Sequence, residues 1–266
     1  MSFKWVRGEL IGTGACSRVY LALNATTGEM FAAKQLTVVG EIDSRQIQAA
    51  YAVKAENETL DHPNLVQFIG FEETDLSEHV SFMEYVPGGS IAGIILKHGK
   101  IGEESTKSFA SQILTGLGCL HSKGIDLRAD NILVEMTGVC KISHFGISKR
   151  LNGANSDQGG ARASWLVPEI LRNEGQDPKS DIWSVGCVVL EMWAGSRATS
   201  NVEIATMFEP PVPDGVVLTP LADGFRNKCF AINPEERPTA AELRSHPYLA
   251  QTVMDPQGHR DTPIGT

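Results

Sequence analysis

Several features that mark particular classes of protein are missing from this chain of 266 residues. No apolar run approaches the ~18–20 residues of a membrane span, and the first residues lack the apolar core of a signal peptide. The five cysteines are scattered and form no C-x-x-C pair, which indicates reduced thiols in the cytoplasm. There is no G-x-x-x-x-G-K-[ST] motif, so a Walker-type nucleotide hydrolase is disfavoured.

Positive charge is also scarce in this sequence. The chain has 23 lysines and arginines against 32 aspartates and glutamates, a formal net charge of −9. A surface for nucleic acid or for an anionic membrane is therefore not expected. The hydrophobic fraction of 42% and the charged fraction of 21% are ordinary for a globular protein, and the length allows one large domain or two lobes.

The first 86 residues predict a small, β-rich unit. Alternating apolar residues and turn glycines predict strands over residues 4–12, 18–24, 30–36, 65–70 and 79–86. Residues 44–60 contain neither glycine nor proline, and they predict one helix with Ser44 as its N-cap.

After residue 89 the pattern becomes helical. Helices are predicted over residues 103–121, 180–195, 218–230 and 239–243, and the second of these is apolar enough to be buried at the centre. The Gly/Ser/Asn-rich stretch 151–162 and the polar tail from residue 251 are predicted to be mobile.

A polar loop, a short hairpin and a second loop lie between the first two of these helices. The first loop is Asp126-Leu-Arg-Ala-Asp-Asn131. Strands are predicted over residues 132–134 and 139–142 around the turn glycine Gly138, and His144-Phe-Gly follows them. Acidic and amide groups at both ends of a hairpin can direct oxygen ligands toward one point.

The order D-L-x-x-x-N, hairpin, x-F-G resembles the catalytic and metal-binding loops of eukaryotic protein kinases. Residues 7–12, 84–90, 112–117 and 181–187 are similar to the MAP kinase kinase kinase group of serine/threonine kinases. The resemblance covers nearly the whole chain and implies an α+β, bilobal protein-kinase fold. It implies one domain over residues 1–250 and a polar tail at 251–266. The β-rich N-lobe, with one main helix, would occupy 1–86, and the mostly helical C-lobe 87–250.

The resemblance also implies a nucleotide site in the N-lobe. Gly12 and Gly14 fit a loop that covers the phosphates of ATP, although alone they would fit an ordinary hairpin turn. Lys34 corresponds to the lysine that contacts the α- and β-phosphates, with Glu56 as its helix partner and Glu58 as the alternative. The family pattern assigns the following residues to the base of ATP: Ile11, Val19, Ala32, Met83, Glu84, Val86 and Leu133.

For phosphoryl transfer, the resemblance implies that Asp126 accepts the substrate proton and that Asn131 binds a metal ion. Arg128 stands where the family has a lysine, and it keeps the positive charge. The histidine and arginine that precede the catalytic aspartate in the family are absent, since Ile125 leads directly into Asp126. The position of Asp126 is therefore in question.

His144 is the largest departure from the family pattern, because it replaces the metal-binding aspartate. Mg²⁺ prefers oxygen ligands, so an imidazole is a poor substitute for a carboxylate. A softer metal at His144 is the alternative, but no second ligand of that kind accompanies it. ATP is therefore expected as the ligand, with Mg²⁺ binding weakened or lost. Losing the metal would lower the transfer rate by orders of magnitude.

Two functions follow from the resemblance. One is a MAP kinase kinase kinase-type enzyme of impaired activity, which transfers the γ-phosphoryl of ATP to serine or threonine of a downstream kinase. The other is a pseudokinase that acts as a nucleotide-binding or protein-docking scaffold. The expected partner is a protein substrate or docking partner, a MAP kinase kinase in the first case. The expected location is cytoplasmic. In either case Glu169 and Arg237 correspond to a buried ion pair, and Asp181 to an anchor of the catalytic loop.

Overall fold

The computed structural model of the protein describes residues 4–14, 17–36, 60–73, 79–123, 132–143, 167–172, 177–196 and 210–250. The predicted helix over residues 44–60 lies outside this part except for its last residue, Leu60. The stretch 151–162 and the tail from residue 251 also lie outside it. The described part contains an antiparallel small lobe and a helical large lobe, so the predicted α+β architecture with two lobes is confirmed.

The small lobe is an antiparallel sheet with the strand order β1-β2-β3-β5-β4. Its strands are β1 (Trp5–Gly14), β2 (Ser17–Asn24), β3 (Met30–Leu36), β4 (Phe68–Glu73) and β5 (His79–Glu84). Asn24 starts the turn between β2 and β3, because its side-chain oxygen accepts hydrogen bonds from the N–H groups of Thr26 and Thr27. Strand β1 runs past the predicted residue 12, since Gly14 still pairs with Ser17.

The two faces of this sheet bury different residues. Successive side chains of a strand alternate between the faces, and one face forms a buried cluster of Ala22, Phe31, Ala33, Val80 and Phe82. Trp5 packs against this cluster edge-on, with its ring centroid 5.4 Å from that of Phe82. Val19, Ala32 and Lys34 therefore lie on the opposite face of the sheet.

The described large lobe is helical apart from one hairpin. Its helices are α1 (Ile91–His98), α2 (Glu103–Ser122), α3 (Pro168–Leu171), α4 (Pro178–Ala194), α5 (Pro220–Cys229) and α6 (Ala240–Arg244). The hairpin pairs β6 (Ile132–Val134) with β7 (Cys140–Ile142). Short 3-10 turns lie at Pro234–Glu236 and Pro247–Leu249. Among these helices, none is both long and apolar enough to cross a membrane.

Helix α4 is the centre of the large lobe, as its apolar sequence predicts, and it is buried along nearly all of its length. Asp177 caps its N-terminus, because the carboxylate accepts hydrogen bonds from the N–H groups of Lys179 and Ser180 at 2.8 and 3.0 Å. The helix therefore begins at Pro178 rather than at the predicted residue 180. Gly195 follows its last residue in a left-handed conformation, with a φ of 71°.

The predicted strand over residues 65–70 is wrong in its position. Strand β4 runs Phe68–Glu73, and Leu65 instead forms an isolated bridge with Ile142 of β7. The N–H of Val66 donates to Ile142 O at 2.9 Å, and the N–H of Ile142 donates to Asn64 O at 2.9 Å. The apolar run at Leu65 therefore joins the small lobe to the hairpin, which periodicity within the small lobe alone does not predict.

Helix α1 is a second difference, since no helix is predicted over residues 91–98. Its signals are present in the sequence. Ser90 is its N-cap and accepts a hydrogen bond from the N–H of Gly93 at 3.0 Å. Ile91 and Ile95 are buried, and their spacing is helical. The helix is short and follows Pro87-Gly88-Gly89, a sequence typical of a loop, so its start is not predicted.

Candidate active site

One face of the small-lobe sheet brings together five of the residues assigned to the nucleotide. Gly12 of β1 lies opposite Val19 of β2, and Val19 lies opposite Lys34 of β3. Ala32 lies opposite Met83 of β5. Directly paired residues of antiparallel strands share a face at a Cα separation of ~4.5–5.5 Å. These five positions therefore form one continuous surface.

Lys34 is the charged residue of this surface. Only 6% of it is exposed, and this burial lowers the pKa of Lys34 to about 8. None of the residues in the described ranges forms an ion pair with its ammonium group. Burying a cation is costly unless an anion joins it. Lys34 is therefore suited to bind an anionic ligand such as a phosphate.

The end of the β1–β2 pair carries the two assigned glycines. Gly14 lies opposite Ser17, and a Cβ at Gly14 would come within 2.9 Å of Ser17 Oγ. A side chain there would crowd the turn. Ile11 lies at an irregularity in the register between Leu10 and Gly12, and it is 39% exposed. Because Gly12 and Gly14 have no side chains, the backbone at this end of the sheet can approach a ligand closely.

The segment that follows β5 connects the two lobes. Glu84 ends β5, and its N–H donates to Gln67 O at 3.0 Å. Its carboxylate accepts hydrogen bonds from Lys141 Nζ at 2.7 and 2.9 Å and from the N–H of Gln67 at 2.8 Å. Val86, further along this segment, is buried. The connection is therefore anchored where it leaves the sheet.

The β6–β7 hairpin forms the other side of the space between the lobes. Leu133 of β6 bridges Ser90, and the N–H of Val134 donates to Gly89 O at 2.8 Å. Leu133 thus lies beside the segment that follows the connection between the lobes. The sheet surface and Leu133 belong to opposite lobes.

A network of amide side chains fixes the hairpin on helix α2. Asn64 Nδ2 donates to Cys140 O at 2.9 Å and to Gln112 Oε1 at 3.2 Å. Gln112 Nε2 donates to Gly138 O at 3.2 Å, and Gln112 Oε1 accepts from the N–H of Cys140 at 2.8 Å. Gly116 of α2 approaches so closely that a Cβ there would lie 2.9 Å from Asn64 O. Helix α2 therefore holds both the hairpin and the segment at Asn64 that leads into β4.

Glu169 and Arg237 form the buried ion pair that the sequence predicts. Arg237 donates to both carboxylate oxygens of Glu169, at 2.6 and 2.9 Å. Burial alone would raise the pKa of Glu169, but the hydrogen bonds from Arg237 and Ser180 outweigh it, and the pKa is lowered. Asp181 is buried as well, and its Oδ2 lies 2.8 Å from His121 Nε2. The loop that Asp181 is predicted to anchor lies outside the described residues.

The residues assigned to phosphoryl transfer, and the predicted helix partner of Lys34, fall outside the described part of the chain. They are Glu56, Asp126, Arg128, Asn131 and His144. Their roles therefore stay predictions from the sequence. Within the ranges that are described, no group of three His, Cys, Asp or Glu side chains could hold a metal ion.

Lys141, Gln112 and Asn64 are site residues to which the sequence analysis assigns no role. The sequence does indicate that Lys141 differs from its neighbours. Side chains alternate along β7, so Lys141 points away from the side on which Cys140 and Ile142 are buried. A charged side chain on a short and largely buried hairpin needs a partner. The amides of Gln112 and Asn64 carry no comparable signal, since a single polar residue in a helix or a loop is common.

Comparison with known proteins gives consistent matches along the chain. The family model described as "Protein kinase domain" matches residues 5–249. The chain is 42% identical over 268 residues to the serine/threonine-protein kinase BCK1/SLK1/SSP31 of Saccharomyces cerevisiae, covering 92% of this chain and 18% of that protein. It is 43% identical to the MAP kinase kinase kinase mkh1 of Schizosaccharomyces pombe, covering 93% and 24%.

A more distant relative gives the same result. The chain is 35% identical over 269 residues to the mitogen-activated protein kinase kinase kinase 2 of Arabidopsis thaliana, covering 92% of this chain and 41% of that protein. In all three comparisons nearly the whole chain is aligned. The chain spans less than half the length of each of these relatives.

Proposed function

The chain belongs to the protein kinase family, and we propose that it binds ATP and transfers the γ-phosphoryl group to serine or threonine of another protein. It is a kinase domain homologous to MAP kinase kinase kinases. The observation that carries the proposal is Lys34, a buried cation on the same sheet face as Gly12 and Val19. We further propose that residues 1–250 form one domain, with residues 1–86 as its N-lobe.

The described residues supply a binding site for the nucleotide. Lys34 holds the α- and β-phosphates, and the backbone at Gly12 and Gly14 lies over them. The backbone from Glu84 to Val86 forms hydrogen bonds with the base. The base itself is held among Ile11, Val19, Ala32, Met83 and Leu133. In this arrangement the phosphates face the one buried cation of the sheet surface, and the ring faces apolar side chains.

The proposed transfer residues come from the family pattern. Asp126 accepts the proton of the substrate hydroxyl as the oxygen attacks the γ-phosphorus. Arg128 places a positive charge next to the phosphoryl group that moves. Glu56, or Glu58 in its place, orients Lys34. These assignments rest on the motif positions in the sequence.

The proposed metal donors fit Mg²⁺ poorly. Protein kinases use Mg²⁺ together with ATP, and the family positions for its ligands are Asn131 and His144 here. One amide oxygen and one imidazole are a weak donor set for a hard ion that prefers near-octahedral oxygen coordination. We therefore propose that Mg²⁺ is held weakly and that transfer is slow.

The names of the relatives suggest the class of protein substrate. Those relatives are MAP kinase kinase kinases, and we infer that the partner of this chain is a MAP kinase kinase. A cytoplasmic location is proposed together with this role. It is supported by Cys119, Cys140, Cys187 and Cys229, which are free thiols in the described structure.

Thermal unfolding with ATP tests the nucleotide site. The domain would be melted alone, with ATP, and with ATP plus Mg²⁺, using Lys34→Ala as the test variant and Lys97→Ala, an exposed lysine of α1, as the matched control. Ligand at about 100 times its Kd adds roughly 2.7 kcal/mol to the free energy of unfolding. We expect this stabilisation in the wild type and in Lys97→Ala, and its loss in Lys34→Ala.

Each outcome separates one function from another. A shift that requires Mg²⁺ would show a working metal site, against the expectation for His144. A shift without metal dependence, and without transfer to a protein substrate, would identify a nucleotide-binding pseudokinase. An absence of any shift would contradict the nucleotide site and leave a docking scaffold.

Replacing His144 by aspartate tests the proposed cause of slow transfer. A carboxylate restores the oxygen ligand that Mg²⁺ prefers, so His144→Asp should raise the rate of phosphoryl transfer about tenfold or more. The rate should stay below the roughly 1–100 s⁻¹ typical of kinases, because the segment before Asp126 remains short. A transfer assay with a MAP kinase kinase measures both variants. Full activity in His144→Asp would contradict the importance given to that segment.

A further inference from the structure

The connection between the lobes is held at both ends by the same β6–β7 hairpin. We propose that Lys141 is a positioning residue for the base of ATP, because it straps this connection to the hairpin and so sets the distance between the connection's backbone and Leu133. The connection is defined here as residues 84–90. The inference rests on the proposed nucleotide site.

The first end of the connection is held through Glu84. Its carboxylate accepts two hydrogen bonds from Lys141 Nζ, at 2.7 and 2.9 Å, and a third from the N–H of Gln67 at 2.8 Å. Lys141 also lies 3.4 Å from Glu135 Oε1. The side chain of Lys141 is 12% exposed. A charge-assisted contact that is largely shielded from water is stronger than an open surface ion pair.

The second end is held by β6. The N–H of Val134 donates to Gly89 O at 2.8 Å, and Ser90 forms a bridge with Leu133. A Cβ at Gly88 would collide with Val134 O. The backbone of the connection therefore rests directly on the strand that carries Leu133. Only the short stretch between Glu84 and Gly88 lies between the two attachments.

Lys141 and Leu133 are directly paired in the hairpin. Paired residues of antiparallel strands share a face, so the lysine that holds Glu84 stands next to the leucine proposed to contact the base. Gln112 and Asn64 in turn fix the hairpin on helix α2 through their bonds to Gly138 and Cys140. The hairpin therefore fixes the position of the connection relative to helix α2 in the core of the large lobe.

Amide hydrogen exchange of the ligand-free domain tests the strap directly. In Lys141→Met the carboxylate of Glu84 loses two of its three bonds, so the amides of Gln67 and Glu84 should exchange about tenfold faster than in the wild type. The amide of Val66, which bonds to Ile142 O, is an internal reference and should not change. Lys141→Arg keeps the charge and should behave as the wild type. Lys97→Met, at an exposed lysine, is the matched control.

Binding of two ligands then tests the role in positioning the base. Lys141→Met should weaken binding of ATP about tenfold and leave binding of inorganic triphosphate unchanged, because the triphosphate needs only Lys34 and the glycine loop. Lys141→Arg should restore the affinity for ATP. A merely structural loss would weaken both ligands equally, and a thermal unfolding scan confirms that each variant is folded.

The outcomes distinguish this inference from the proposed function. Equal affinity of the wild type and Lys141→Met for ATP, or unchanged exchange at Gln67 and Glu84, would overturn the positioning role. A wild type that binds neither ATP nor triphosphate would refute the nucleotide site, and with it the role of Lys141 toward a base. Faster exchange with selective loss of ATP affinity is the result that supports the inference.

Discussion

Arg237 in the large lobe and Lys34 in the small lobe are both buried cations, with 1% and 6% of the residue exposed. Arg237 donates to both oxygens of Glu169, to Ala231 O and to Lys179 O. Lys34 has no ion-pair partner among the residues that the structure describes, and burial lowers its pKa to about 8. Among the described residues, Arg237 is thus fully paired and Lys34 has no anionic partner; Glu56, the predicted partner of Lys34, lies outside them.

The comparison separates a charge that holds the fold from a charge that is available to a ligand. A buried ion that is fully hydrogen-bonded is hard to remove, because each partner is then left buried and unpaired. A buried ion without such partners weakens the free protein, and it can recover that cost when an anion binds. Three predictions test this distinction, and a fourth concerns the packing between the lobes.

The largest expected effect is at Arg237. Arg237→Met leaves the carboxylate of Glu169 buried and unpaired, so the free energy of unfolding should fall by about 3–5 kcal/mol. Urea denaturation measures the change. The double variant Glu169→Gln/Arg237→Met is the control, since it removes both charges and should recover much of the loss. A loss under about 1 kcal/mol in the single variant would show that the pair contributes little, as exposed pairs do.

Lys34→Met should behave in the opposite way. The free energy of unfolding of the ligand-free domain should stay the same or rise by up to about 3 kcal/mol, because the depressed pKa reports a buried charge that the fold tolerates at a cost. The stabilisation of roughly 2.7 kcal/mol by saturating ATP should disappear. Urea denaturation with and without ATP measures both quantities. A ligand-free variant that is clearly less stable would place Lys34 in the same class as Arg237.

Two glycines of helix α2 test the packing at the junction of the lobes. A Cβ at Gly116 would lie 2.9 Å from Asn64 O and 3.0 Å from Ile142 Cδ1, so Gly116→Ala should destabilise the domain by about 1–3 kcal/mol. Gly118 has no atom within 4 Å of its Cβ position, and Gly118→Ala should stabilise by about 0.5–1 kcal/mol through helix propensity. Thermal unfolding of both variants gives the sign. Equal changes in stability for the two variants would mean that the backbone at Asn64 and the side chain of Ile142 move aside at little cost.

ATP binding should also depend on pH. The folded pKa of Lys34 is about 8, so the ammonium loses its proton as the pH rises through 8, and affinity for ATP should fall about tenfold between pH 7 and 9. The unfolded pKa is higher, so over the window from 8 to 10.5 Lys34 also makes the free domain more stable as the pH rises. Lys34→Arg stays charged and should show a flat ATP profile. Titration calorimetry at each pH measures the affinity.

Much of the fold is predictable because its signals are local. Strand β3 and strand β6 lie at the predicted residues, and α2 and α4 agree within a turn of helix at each end. The errors have two causes, a partner from the other lobe and a short element. Leu65 reads as part of a strand, yet it bridges Ile142 on the hairpin. Helix α1 has only eight residues, and the glycines before it are typical of a loop, so neither its N-cap nor its apolar spacing predicts a helix.

The candidate site is predictable only in part. The glycine loop, Lys34 and the base-contacting residues are recognisable from the family pattern, and the sheet register brings Gly12, Val19 and Lys34 onto one face. Lys141 is assigned no role, because its partner Glu84 is 57 residues away in the chain. Its charge shows that a partner is needed, but not which carboxylate provides it.

The sequence by itself determined the family, most of the strands and helices, and the replacement of the metal-binding aspartate by His144, since motif order and periodicity depend on neighbouring residues. Only the tertiary structure decided that Lys34 is buried with a lowered pKa and that Lys141 holds Glu84. Desolvation and the pairing of distant charges depend on which residues the fold brings together, and local sequence patterns do not contain that information.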